Sequence, residues 1–94
     1  MTDLTSLSQL QDQKNLVVVF FDPAIDNEES LKAQGKLEDE LLDRKDILKA
    51  NVNEGIGKDL KEAHGVDYIP SAIVIKNGKP FLRQGAGAIL REVK

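Results

Sequence analysis

Gly65-Val66-Asp67-Tyr68-Ile69-Pro70-Ser71-Ala72-Ile73-Val74-Ile75-Lys76-Asn77-Gly78 is the stretch on which the fold of this chain turns. Gly65 follows a helical pattern from Gly57 to His64 and supplies the left-handed residue that ends a helix. The residues from Ser71 to Lys76 are mostly apolar, and Pro70 stands just ahead of them, where its missing N–H and fixed φ suit a turn rather than a strand interior. Asn77-Gly78 tolerates positive φ at both positions, so Ser71 to Lys76 and Pro80 to Arg83 are expected to pair as a tight hairpin.

Upstream, Leu16-Val17-Val18-Val19-Phe20-Phe21 is continuously apolar, as a strand covered on both faces requires, and Asp22-Pro23 ends it. From about Asn27 to Arg44 the period becomes helical. Ala33, Leu37 and Leu41 recur every four residues, Leu31 and Leu42 widen the stripe, and Glu28 and Glu29 fall in the first turn, where they complement the helix dipole. Gly35 costs about 1 kcal/mol against alanine inside such a helix and marks a kink or a close approach to the sheet. Ile47 to Val52 alternates as a second strand, and the helix from Gly57 to His64 turns Leu60, Ala63 and His64 inward. Leu4, Leu7 and Leu10, with Ser6 and Gln9 spaced as a capping box, predict a short N-terminal helix docked on the sheet. After Gly85-Ala86-Gly87, Ile89, Leu90 and Val93 predict a last helix. The order α-β-α-β-α-β-β-α gives an α/β domain with a mixed four-stranded sheet, helices on both faces and a right-handed crossover between the first two strands.

Ninety-four residues fit one domain, 1–94, and a chain of this size buries only about 60–65% of the surface its unfolded form exposes. The last helix is short, which leaves open a continuation beyond Lys94. There is no cysteine, so no disulfide or thiolate metal site contributes, in keeping with a reducing compartment. The N-terminus has no basic and apolar leader, and no run approaches the ~20 apolar residues that span a bilayer, so a cytoplasmic protein without membrane attachment is expected. Residues 1–46 carry 11 acidic and 5 basic side chains, net −6, whereas residues 47–94 carry 5 and 8, net +3. With the densest charge acidic, a nucleic-acid surface is not expected.

Residues from about 15 to 93 resemble the thioredoxin-like superfamily. Gly65-Val66-Asp67-Tyr68-Ile69-Pro70 matches that family's G-V-x-x-I-P segment, and Lys76-Asn77-Gly78-Lys79 matches its hairpin turn. The resemblance implies a cis-proline at Pro70, facing the loop after the core strand. It also implies where redox chemistry is missing: Ile25, Asp26, Asn27 and Glu28 stand where the C-x-x-C motif would be, and Val19 stands at the position of the family's buried acid. Thiol exchange needs a thiolate, so thiol-disulfide oxidoreductase activity is excluded. Non-redox relatives are peptide- or protein-binding modules, assembly domains or calsequestrin-like calcium stores.

The expected function is therefore a non-catalytic module that binds a protein or peptide partner through the loop from Asp22 to Glu28 and the facing turn. Ala24, Ile25, Tyr68, Ile69, Pro70 and Ser71 are the candidate contacts, with Ala24, Ile25, Ile69 and Pro70 forming a small apolar patch beside a free backbone edge. No catalytic residue, metal or cofactor is expected. Asp22, Asp26, Glu28 and Glu29 lack the spacing of a calcium loop, and Glu38, Asp39, Glu40 and Asp43 read as a solvated helix face. His64 has no second histidine to share a metal and reads as helix-end packing. Gly85-Ala86-Gly87 follows a hairpin and lacks the chain needed for a nucleotide-binding βαβ unit. Two alternatives stay open. One is an acidic calcium-responsive module. The other is a glutathione-binding fragment, because Ile69-Pro70-Ser71 with Gln84 also resembles the N-terminal half of glutathione transferases, although Gly85 replaces that family's serine.

Overall fold

In the computed structural model, which describes residues 1–93, strand β2 (Leu16–Phe21) lies at the centre of the sheet. It pairs in parallel with β3 (Ile47–Asn51), from Val17 opposite Ile47 to Phe21 opposite Asn51, and antiparallel with β4 (Ser71–Lys76). Helix α1 (Glu28–Glu40) makes the crossover from β2 to β3, and α2 (Gly55–Ala63) leads from β3 toward β4. Strand β5 (Lys79–Gln84) closes one edge against β4, and α3 (Ala86–Val93) follows it.

Both faces of β2 are covered, which is the physical reason its sequence does not alternate. Val18 and Phe20 point into a cluster completed by Leu48, Val66 and Ile73, with Leu60 of α2 packed against it. Val19 and Phe21 point the other way, against Leu37 and Leu41 of the α1 end and Ile89 and Leu90 of α3.

The sheet has five strands rather than the four expected from the sequence. The expected N-terminal helix is instead a two-residue strand, β1 (Thr2–Asp3), followed by one 3₁₀ turn over Leu7–Gln9. Thr2 and Asp3 pair in parallel with Leu48 and Lys49, and the Leu4 N–H donates to the Lys49 carbonyl at 2.8 Å. The capping box is real: Ser6 N–H donates to Gln9 Oε1 at 3.0 Å, and Ser6 Oγ accepts from the Ser8 N–H at 3.2 Å. Leu4 and Leu10 pack on the core, and Leu7 is exposed.

Helix α1 begins where its cap predicts, with Asn27 Oδ1 accepting from the Ser30 N–H at 3.0 Å, and ends at Glu40, short of the expected Arg44. Its buried face is Ser30, Gln34 and Leu37, continued by Leu41, while Leu31 and Leu42 are 53% and 65% exposed. Gly35 faces solvent, and a Cβ built there meets nothing within 4 Å, so no close approach to the sheet calls for it. The close approach occurs at Gly57 instead, where a Cβ would overlap the Asn51 carbonyl oxygen at the start of α2. Helix α2 starts two residues earlier than expected, and Ala63 and His64 are exposed rather than inward.

Asn77 and Gly78 have φ of 52° and 79°, the pair of positive values that a two-residue hairpin turn needs. That turn makes Lys76 and Lys79 a hydrogen-bonded pair, so alternation places Pro80, opposite Ile75, where its missing N–H costs no ladder bond. Glu92 ties α3 to this hairpin through Lys76 and Arg83, both at 2.8 Å, and its side chain is only 14% exposed. Hydrogen bonds from Lys76 and then Arg83 hold the Glu92 carboxyl below the ordinary carboxylate range.

Candidate functional site

The loop that follows β2 is held from three sides. Gln34 of α1 grips the main chain of Asp22 as a neighbouring strand would: its Oε1 accepts from the Asp22 N–H at 2.6 Å and its Nε2 donates to the Asp22 carbonyl at 3.1 Å. The Asp22 carboxylate accepts from the Ala24 N–H at 2.9 Å and from Asn53 Nδ2 at 2.6 Å, and the Ile25 N–H returns to the Asp22 carbonyl at 3.1 Å. The Asp22 carboxylate and the Gln34 and Asn53 amides are thereby engaged, and Asp22 to Ile25 form one defined turn. Gln34 and Asn53 were not singled out by the sequence. The available signal was Gln34 itself, a polar residue in register with Ser30, Leu37 and Leu41.

The facing turn runs from Asp67 to Ser71. The Ile69–Pro70 peptide bond is cis. The Pro70 carbonyl accepts from the Gly85 N–H at 2.8 Å, which brings the start of α3 against the turn, and Ser71 Oγ donates to the Tyr68 carbonyl. Gly85 has φ of 89°, a conformation that glycine adopts without strain.

The six candidate residues divide by burial. Pro70 and Ser71 are fully buried, and Ile69 is 8% exposed within the cluster formed on the α2 side of the sheet. Ile25 is half-buried against that same cluster, which joins the loop to the turn. Ala24 and Tyr68 reach solvent, Tyr68 at 46%. The exposed apolar surface is thus Ala24, Tyr68 and part of Ile25, narrower than the patch expected from the sequence. The main chain adds what the side chains do not: neither the N–H nor the C=O of Ile69 makes a hydrogen bond among the described residues.

Behind the loop lies a cavity of about 300 Å³ bordered by Phe21, Gln34, Glu38 and Lys49. Its one ammonium is engaged, with Lys49 Nζ 3.1 Å from Glu38 Oε1 and 5.0 Å from the centre of the Phe21 ring. Val19, on the same face of β2, adds no titratable group. Among the described residues no three His, Asp or Glu side chains are grouped to hold a metal ion, and no helix is long and apolar enough to cross a membrane.

No family model matches the sequence, and no curated protein matches it. Solved structures do. Fasciola hepatica thioredoxin superimposes with a TM-score of 0.68 at 22% identity, over 98% of this chain and 94% of that one. Mitochondrial thioredoxin 3 of Saccharomyces cerevisiae gives 0.67 at 21% identity, over 98% and 90%, and Chlamydomonas reinhardtii thioredoxin f2 gives 0.66 at 16%, over 99% and 93%. Likeness at these identities is likeness of architecture, and the loop from Ile25 to Glu28 carries no thiol with which to exchange a disulfide. The chain has the thioredoxin-like fold, built without a single cysteine.

Proposed function

We propose that the domain is a non-catalytic binding module, which takes an extended segment of a partner protein between the loop from Asp22 to Glu28 and the turn from Tyr68 to Ser71. The observation that carries this reading is the unpaired main chain of Ile69. A buried or nearly buried peptide group is almost always hydrogen-bonded, and an extended segment laid along Ile69 would pair both its donor and its acceptor. Ala24 and Tyr68 would supply apolar contact on either side, and the locked turn from Asp22 to Ile25 limits the ordering cost of binding. A cysteine-free module of this kind suits the cytoplasm, where disulfides are rarely used. No observation favours a glutathione or calcium site over this reading.

Selection of a displayed random heptapeptide library on the immobilised domain tests it, followed by calorimetry of the enriched peptides. The expected result is enrichment of sequences whose binding is lost with Ala24→Arg and weakened with Tyr68→Ala. Enrichment that ignores both substitutions, or no enrichment at all, would remove the proposal.

A further inference from the structure

The two banks of the proposed site carry charge of one sign. Asp26, Glu28 and Glu29 are exposed on the loop and the first turn of α1, and Asp67 is exposed on the facing turn, next to Tyr68. Between Asp22 and Ala33, and between Glu62 and Ile75, the single Lys or Arg is Lys32. It lies 3.6 Å from Glu28. Asp26, Glu29 and Asp67 make no ion pair among the described residues. The segment from Gln84 to Gly87, which touches the turn through Gly85, brings no charge.

Tyr68 adds a second, independent feature. The two cation–ring contacts among the described residues use Phe21 and Phe81, so the exposed Tyr68 ring has no cation over it. An exposed aromatic face attracts a Lys ammonium or Arg guanidinium, and the exposed carboxylates of the two banks add to that attraction and repel an acidic chain.

We infer that the segment bound here is basic: an extended stretch of a partner protein in which lysine or arginine flanks a small apolar centre. This inference rests on the peptide-binding reading above. The unpaired Ile69 main chain sets an extended conformation, the Ala24 and Tyr68 surfaces set the apolar centre, and the acidic banks set the charge of its neighbours.

Three acetylated, amidated heptapeptides with a Val-Leu-Val centre test the inference, their flanks being lysine, serine or glutamate. Each is titrated into the labelled domain while amide resonances are followed. The lysine-flanked peptide is expected to shift Ala24, Tyr68 and Ile69 and to bind roughly tenfold tighter than the serine-flanked one at low salt. That advantage falls to within about twofold at ~0.5 M salt, where screening acts over only a few ångströms. The Asp26→Asn and Asp67→Asn double variant loses it, and Asp43→Asn, beyond the far end of α1, keeps it. Equal affinity for the three peptides, with the same resonances moving, overturns the charge inference and leaves the peptide reading standing. No movement at Ala24, Tyr68 and Ile69 with any peptide overturns both.

Discussion

Replacing Gln34 by alanine removes the side chain that holds the loop in place. The Gln34 amide makes two hydrogen bonds to the main chain of a half-buried residue, at 2.6 and 3.1 Å, and is itself one of the few buried polar side chains among the described residues. A typical intramolecular hydrogen bond contributes about 1 kcal/mol net, and a buried group left without its partner costs about 1–3 kcal/mol. Alanine is the better helix former by a few tenths of a kcal/mol, which offsets little of this. The balance predicts a loss of about 2–3 kcal/mol in unfolding free energy. Gln34→Met keeps most of the volume while abolishing both bonds, so it should lose about 1–2 kcal/mol and separate the polar contribution from the packing one. Urea unfolding at neutral pH, with the slope unchanged, measures both, and amide exchange at Asp22 should quicken in each variant. If both variants unfold within about 0.5 kcal/mol of the parent, the grip of Gln34 on Asp22 does not order the loop.

Two of the helical glycines, Gly35 in α1 and Gly57 in α2, should respond in opposite directions. Gly35→Ala adds a methyl to open solvent at an ordinary helical φ and should stabilise by about 0.5–1 kcal/mol, whereas Gly57→Ala drives a Cβ into the Asn51 carbonyl and should cost about 1–3 kcal/mol or prevent folding. Calorimetric melting of both variants checks the pair, and a rise in Tm for Gly57→Ala would contradict the packing of α2 on β3. For Glu92, a folded-state carboxyl held below its unfolded value contributes stability that is complete above the ordinary carboxylate range near pH 4.3 and lost as the pH falls through the lower folded value. The gap in urea midpoint between the parent and Glu92→Gln should therefore be open at pH 7 and closed near pH 2, and a gap that widens with acid would be wrong in sign.

What could be read from the residues was what short-range physics decides. Asn77-Gly78 dictates its own turn, the unbroken Leu16 to Phe21 run requires cover on both faces, and Ser6 with Gln9 forms its capping box whatever the fold around it. The remainder depended on partners distant in the chain. Thr2 and Asp3 become a strand only because Leu48 and Lys49 lie alongside. The buried face of α1 is turned toward Gln34 because the Asp22 main chain is there to receive it, and that leaves Leu31 in solvent. At the candidate site the loop and turn were legible from Pro23, Ile69 and Pro70. The burial of Pro70 and Ser71 was not, because it is set by pairing of Ser71 with Phe20 and Gln84 and by the Gly85 contact.

The proposed binding mode depends on the Ile69 N–H and C=O, which make no hydrogen bond among the described residues. Hydrogen exchange at the Ile69 amide, free and saturated with a library-selected peptide, reads that pairing at the atom concerned. Exchange at least about tenfold slower in the complex, with the change centred on Ile69, is the expected result. Unchanged exchange at Ile69 in a saturated complex would mean that the partner does not pair there.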